Sequence, residues 1–388
     1  MSPTPVTMSL PTAPAVYTWE ATNEAVAERY GVAAEHIVRF DLNTSPLPPE
    51  VLWRVLERSL ETRRFETSIS EYPPSDYRRL SIAAAETYGV AREEVLVGAG
   101  ADEVLDMIAK AFLASGGRAV VPIPTYSMYR VVSEQRGASV ALVPRLGADE
   151  AWAIDVPAMR AAAREATLVW LCRPNNPTGL AEPAGTIRAL LEGLAEDAAA
   201  DGRTPPAVAV DEAYAEFSGD TVLPLRLDHP NLIVVRTASK AYGLAGLRVG
   251  FALAPRATLE RIEPYRPPGS VGTISITIVA EALRDQAALE ATVEHTRVER
   301  ARLARALAEL GWRPGPSVTN FILVDFGTPE RAEAVAEGLL RRGIVPRTFG
   351  AGHPLNGFLR FTVRDPDENN RLLRSAAEIE AALAEDAA

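Results

Sequence analysis

Cysteine is almost absent from this 388-residue chain. Cys172 stands alone, so no internal disulfide can form, and its place in the apolar run Leu168-Val-Trp-Leu-Cys172 predicts a buried, unreactive thiol. Histidine is scarce too: His36, His229, His295 and His353 show no metal-ligand spacing and are expected in structural or surface roles. No uninterrupted apolar stretch approaches the ~20 residues that a membrane span requires. There is no surplus of basic charge; a formal net charge of −11 argues against a nucleic-acid surface. Met1 to Val16 is rich in Pro, Thr and Ser and has no basic region ahead of an apolar stretch, so it reads as a loose arm and not a signal peptide. Repeats and low-complexity tracts are missing beyond modest Ala-rich runs, which are helix formers. What these absences leave is a soluble, cytoplasmic metabolic protein. Its 47% hydrophobic content suffices for a large core, and its length exceeds one ordinary domain.

The most informative stretch present is Thr237-Ala-Ser-Lys-Ala-Tyr-Gly-Leu-Ala-Gly-Leu-Arg-Val-Gly250, which sets Lys240 among small residues with Arg248 eight positions later. An amine is a nucleophile only once it has lost its proton, and a cationic or desolvated setting lowers a lysine's pKa towards neutrality. Arg248 offers part of that setting. Its planar fork also matches a phosphate, beside the hydroxyls of Ser239 and Thr237. Pyridoxal 5′-phosphate needs both things, a lysine for its aldehyde and an anion site for its phosphate. Taken alone, the window also fits an ordinary surface lysine.

Other segments answer to it. Val208-Ala-Val-Asp211-Glu-Ala-Tyr214 is a β-branched apolar run that ends in an acid, as a buried parallel strand does where it opens on a ligand crevice. A carboxylate there could keep a pyridine nitrogen protonated, with Tyr214 in reach of the ring hydroxyl; alternatively Asp211 is a helix N-cap. Leu168 to Cys172 reads as a second buried strand feeding Arg-Pro-Asn-Asn176-Pro-Thr-Gly179, a tight irregular loop that sets Asn176 at the strand's end. Val95-Leu-Val-Gly98-Ala-Gly100-Ala-Asp-Glu103 is a strand-to-turn whose following residues, Val104, Leu105, Ile108 and Ala109, have helical spacing. A glycine turn at a helix start presents backbone N–H groups to an anion, and Asp102 and Glu103 suit the helix dipole.

Together these motifs resemble the fold-type-I pyridoxal-phosphate aminotransferases, and within them the histidinol-phosphate aminotransferase branch. The resemblance runs from about Asn43 to Arg371. It rests on Tyr72-Pro73, Gly98 to Glu103, Pro124-Thr-Tyr-Ser-Met-Tyr129, Pro174 to Gly179, Asp211-Glu-Ala-Tyr214, Ser239-Lys240 with Arg248, and Leu359-Arg-Phe-Thr362 followed by Glu368-Asn369. It implies that Lys240 forms the Schiff base and then shuttles the proton. Asp211 pairs with the pyridine nitrogen, Asn176 and Tyr214 bond the ring oxygen, and Tyr126 stacks on the ring. The turn at Gly100, through the N–H groups of Ala101 and Asp102, cradles the phosphate with Thr237, Ser239 and Arg248, and Tyr72 reaches the cofactor of a neighbouring subunit. Arg360 and Arg347, with Asn176, take the substrate's anionic groups. A homodimer with shared active sites follows, acting on a small-molecule amino donor and a 2-oxo acid such as 2-oxoglutarate.

The chain departs from that pattern in places. Asn43-Thr-Ser-Pro46 replaces the usual Asn-Glu-Asn-Pro, Ala99 and Ala101 stand where Asn and Ser are usual, and Arg364 occupies a position commonly held by Gly. Substrate choice therefore stays open between histidinol phosphate and aromatic amino acids. A phosphothreonine-type decarboxylase on the same scaffold and a non-catalytic cofactor-binding regulator are the rival classes. The expected architecture is a three-layer α/β/α fold with a large, mostly parallel sheet and a smaller α+β C-terminal domain. Its expected divisions are an N-terminal arm or small-domain segment over 1–43, the cofactor-binding domain over 44–268 and the small domain over 269–388. A helix is expected near Trp19 to Tyr30, one or two long helices over Ile274 to Leu310 after the Pro264 to Gly269 breaker, and strands at Phe321–Val324 and Leu359–Val363 flanking a helix near Pro329–Arg342.

Overall fold

A computed structural model describes residues 20–45, 49–63, 65, 68–113 and 116–386. The expected arm at Met1 to Val16, Trp19 and Pro46 lie outside the described residues. Twelve strands form among the described residues: β1 Val38–Arg39, β2 Val95–Gly98, β3 Arg118–Ile123, β4 Ser139–Pro144, β5 Leu168–Cys172, β6 Ala207–Asp211, β7 Leu232–Thr237, β8 Gly250–Leu253, β9 Arg313–Pro314, β10 Phe321–Asp325, β11 Ile344–Val345 and β12 Phe358–Thr362.

β5, β6 and β7 are buried along their whole length, and their near-continuous apolar runs suit strands covered on both faces. They lie at the centre of a seven-stranded sheet of order β2-β8-β7-β6-β5-β3-β4. All neighbours run parallel except β8, which is antiparallel to both β2 and β7. Alternation along the strands divides the apolar side chains between two cores. Val169, Leu171, Val208, Val210 and Val234 face one, where the helices Arg78–Tyr88, Thr186–Ala200 and Thr273–Arg284 pack. Leu168, Trp170, Ala207, Ala209 and Ile233 face the other, under Gly100–Phe112, Met128–Gln135 and Arg256–Ile262. The result is the expected three-layer α/β/α sandwich.

A third core lies elsewhere in the chain. Val38 and Phe40 join Leu303, Leu307, Trp312, Ile322, Val324 and Phe361 there. The three-stranded antiparallel sheet β12-β10-β9 supplies much of it, and β1 pairs in parallel with β11. The early chain is thus stitched to the late chain: the Phe40 N–H donates to the Val345 carbonyl at 2.9 Å, and the Thr362 N–H to the Phe40 carbonyl at 2.7 Å.

Local chemistry sets the helix ends. The helix expected from about Trp19 begins at Asn23, because the Thr22 hydroxyl accepts from the Ala25 N–H and caps it there. The run from Ile274 to Leu310 is two helices, Thr273–Arg284 and Gln286–Glu309. Between them Asp285 leaves the helical conformation and caps the second with its carboxylate, which accepts from the Ala288 N–H at 3.2 Å.

Candidate active site

The carboxyl ends of β5, β6 and β7 open on one crevice, as expected where parallel strands end under flanking helices. It holds a cavity of about 260 Å³ whose lining includes Lys240, Asp211, Tyr214, Asn176, Tyr126, Ala101, Asp102, Thr237, Ser239, Arg248, Arg347 and Arg360. Of the sequence-predicted residues, Gly100 sits directly behind the lining, and Tyr72 is not brought to the cavity. Tyr72 is 93% exposed.

Asp211 is the last residue of β6 and is buried. Its Oδ2 accepts from the Tyr129 hydroxyl at 2.8 Å and its Oδ1 from the Ala213 N–H at 3.0 Å. Burial still dominates and pushes the carboxyl up to about 6, against those two hydrogen bonds. The N–H that it caps belongs to a turn; the four-residue helix Ala215–Ser218 starts beyond it, so Asp211 is not a helix N-cap. Tyr129 was missed in the sequence. Its ring stacks on Trp170 at 5.5 Å and holds its hydroxyl at the acid, a role that only the pairing of distant segments could reveal.

Lys240 follows β7 and reaches across the cavity, with Nζ 3.2 Å from the Leu42 carbonyl. Desolvation, with the positive charge of Arg360 second, lowers the amine to about 8; Asp102 and Asp211 oppose the shift. The residue keeps partial exposure through the cavity mouth while protein surrounds the amine. That combination suits a nucleophile. Tyr214 lies beside it, its hydroxyl accepting from Asn43 Nδ2 at 3.0 Å, and burial raises its pKa.

One part of the cavity wall is built by the first turn of Gly100–Phe112, whose N–H groups lack intrahelical acceptors. Gly100 has φ +83°, and a Cβ there would lie 2.3 Å from the Arg248 guanidinium. At Gly250 a Cβ would lie 2.4 Å from the Gly100 carbonyl carbon. Two glycines therefore let strand, helix start and arginine converge. Arg248 pairs with Asp102 at 3.1 Å, and the other Asp102 oxygen accepts from the Tyr126 hydroxyl at 3.1 Å. Thr237 Oγ1 is bonded inward, 3.1 Å from the Val249 carbonyl and 2.9 Å from Ser239 Oγ, so it orients Ser239. Glu103 turns away to the Ala99 N–H at 2.6 Å and the Ser270 hydroxyl at 2.8 Å.

At the opposite end, Arg360 on β12 is buried and donates to Asn176 Oδ1 and to the Asp41 carbonyl. Those partners turn the amide donor of Asn176 to the remaining direction. Arg347 bridges to Arg360 through paired backbone hydrogen bonds of 3.0 Å. Arg364, whose target the sequence did not reveal, is bound at 2.8 Å to Glu368, four residues on in the first turn of the helix Pro366–Asp386. Cys172 is buried, and its thiol is pushed up to about 12 by desolvation, which removes it from nucleophilic chemistry.

The sequence profile described as aminotransferase class I and II matches residues 37–375. The chain belongs to this family. Among its relatives is the histidinol-phosphate aminotransferase of Symbiobacterium thermophilum, 37% identical over 356 residues, covering 90% of this chain and 91% of that protein. The histidinol-phosphate aminotransferase of Thermococcus gammatolerans is 36% identical over 350 residues, covering 90% and 93%. In three dimensions this class I and II aminotransferase is similar to histidinol-phosphate aminotransferase from Sinorhizobium meliloti, solved in complex with pyridoxal 5′-phosphate. The TM-score is 0.83 at 27% identity, covering 95% of this chain and 96% of that one. Among the described residues, no helix is long and apolar enough to cross a membrane, and no group of His, Cys, Asp or Glu is arranged to hold a metal ion.

Proposed function

We propose that the protein is a pyridoxal-5′-phosphate-dependent aminotransferase that takes its amino group from histidinol phosphate and gives it to 2-oxoglutarate. The observation that carries this reading is one cavity facing three ways: a lysine amine lowered to about 8, a buried carboxyl at a strand end, and a glycine-lined helix start with an arginine. Those donors fit the cofactor's aldehyde, ring nitrogen and phosphate. The identity to histidinol-phosphate aminotransferases over nine-tenths of the chain supports the choice of donor.

When bound, the cofactor supplies an aldehyde for an amine and a protonated ring that accepts electrons from the donor's Cα. Lys240 would hold the aldehyde end and then, as a free amine, take the proton from the donor's Cα and deliver it to the carbon that was the aldehyde. Asp211 keeps a proton on the ring nitrogen, and Tyr129 keeps Asp211 in line. Asn176 and Tyr214 bond the ring oxygen, while Tyr126 covers a ring face. Ala101 and Asp102, through their N–H groups after Gly100, hold the phosphate with Thr237, Ser239 and Arg248. Arg360 and Arg347, with Asn176, take the donor's anionic groups as bidentate forks do.

We also infer a cytoplasmic homodimer with Tyr72 lent to the neighbour's site, each chain divided at 1–43, 44–268 and 269–388, with the helix Thr273–Arg284 of the last part packed on the large sheet. Exposed Trp53, Leu60, Ile69 and Tyr72 along one stretch of chain support the pairing. A panel of donors with 2-oxoglutarate tests the activity: histidinol phosphate should form glutamate fastest. Release of carbon dioxide from phosphothreonine without glutamate would make the protein a lyase, and preference for phenylalanine or tyrosine would make it an aromatic aminotransferase.

A further inference from the structure

Arg347 carries its own counter-charge. Glu20 Oε1 lies 3.6 Å from Arg347 Nη1 and also accepts from the backbone N–H and the hydroxyl of Thr348, at 3.0 and 2.9 Å. Both charged side chains are largely covered, 22% and 18% exposed, so solvent screens the pair only in part. The neighbouring cations are held differently. Arg39 and Asp41 neutralise each other through two bonds of 2.8 and 2.5 Å, and Arg360 donates to the neutral acceptors Asn176 Oδ1 and Asp41 carbonyl. Arg347 and Arg360, joined across their backbone bridge, both line the cavity, whereas Glu20 stands outside the lining, behind Arg347.

We propose that Glu20 sets donor specificity by weakening Arg347 as an anion receptor. A phosphate arriving at Arg347 carries close to two negative charges near neutral pH and meets a carboxylate already held on the same guanidinium. A donor with an uncharged side chain meets no such opposition. Glu20 therefore lowers the preference for phosphate-bearing donors over neutral ones by about tenfold, equivalent to about 1.4 kcal/mol. This inference rests on reading the cavity as a donor site with an anion-binding end.

Titration of the holoenzyme with inorganic phosphate tests it without turnover. Glu20→Gln removes the charge and keeps an acceptor for Thr348; Glu20→Ala removes both. Each should tighten phosphate binding by about tenfold, and each should lower KM for histidinol phosphate by a similar factor with kcat within about twofold. KM for phenylalanine should stay within about twofold. Unchanged or weaker phosphate binding in Glu20→Gln overturns the proposal. So does a shift in Glu20→Ala alone, which would mean that position 20 acts by packing. If neither protein turns over any donor, the aminotransferase reading fails, while the phosphate titration still decides the role of Glu20.

Discussion

At the scale of single residues, the decisive quantities are the proton affinities of two groups that face each other across the cavity. Lys240 falls from the ordinary 10.5 to about 8, chiefly through desolvation and next through Arg360. At pH 7 this gives roughly 300-fold more neutral amine than an exposed lysine would offer. Since only the neutral amine condenses with an aldehyde, the rate at which the apoprotein captures pyridoxal 5′-phosphate should rise with pH with its midpoint at about 8 and level off above it. Neighbouring charges move that midpoint in opposite senses. Arg360→Gln removes a cation, so the ammonium is easier to keep and the midpoint shifts up. Asp211→Asn removes an anion and shifts it down. Stopped-flow absorbance across pH gives all three midpoints; a wild-type midpoint near 10, or variants moving in the same direction, would contradict the electrostatic account. On the proposed reading the loaded enzyme needs Asp211 ionised, and a protonated ring nitrogen beside it would hold the carboxyl below the value of about 6 that burial gives it in the empty site, so activity should persist at pH 6 and fall only at lower pH.

At the scale of elements, the junction of β8 with the helix Gly100–Phe112 explains how the helix start comes so close to Arg248. Gly250→Ala would drive a methyl group into the Gly100 carbonyl carbon at 2.4 Å and the Ala101 nitrogen at 2.5 Å, backbone atoms that cannot rotate away. We expect a loss of about 2 kcal/mol of stability and, because the helix start must retreat from Arg248, a cofactor Kd at least tenfold weaker. Gly246→Ala is the control, with no atom beyond its chain neighbours within 4 Å of its Cβ; it should melt within about 1 °C of the wild type and bind normally. Equilibrium dialysis with thermal melting separates the two effects. The sequence made β5, β6 and the turn before Gly100–Phe112 legible, because buried parallel strands and glycine turns leave local signatures. It did not reveal Tyr129 on Asp211, Asn43 on Tyr214 or Glu20 on Arg347, since each contact joins segments 82, 171 and 327 positions apart, respectively. Arg364 was opaque for the opposite reason. Its partner Glu368 is only four residues on, but a sequence cannot say that the side chain reaches forward to the first turn of the helix Pro366–Asp386 instead of into the cavity.

At the scale of the whole molecule, the placement of Tyr72 raises the question of how many chains make one site. The side chain is exposed, yet Trp53 at 51%, Leu60 at 77% and Ile69 at 65% exposure accompany it on the same stretch, more apolar surface than scattered surface residues need. A second copy laid over this stretch would bury it, and the proposed pairing lends each Tyr72 to the other's cavity. The consequence is countable. In a dimer of one Lys240→Ala and one Tyr72→Phe subunit, the site that lacks the lysine also receives the phenylalanine, while the other site keeps both wild-type groups. Random reassortment of equal amounts makes half of the dimers hybrid, each with one intact site of two, so activity should recover to ~25% of wild type although Lys240→Ala alone is inactive. Sedimentation should find dimers throughout. If the mixture stays at the mean of its parents while subunits demonstrably exchange, Tyr72 serves its own chain or none.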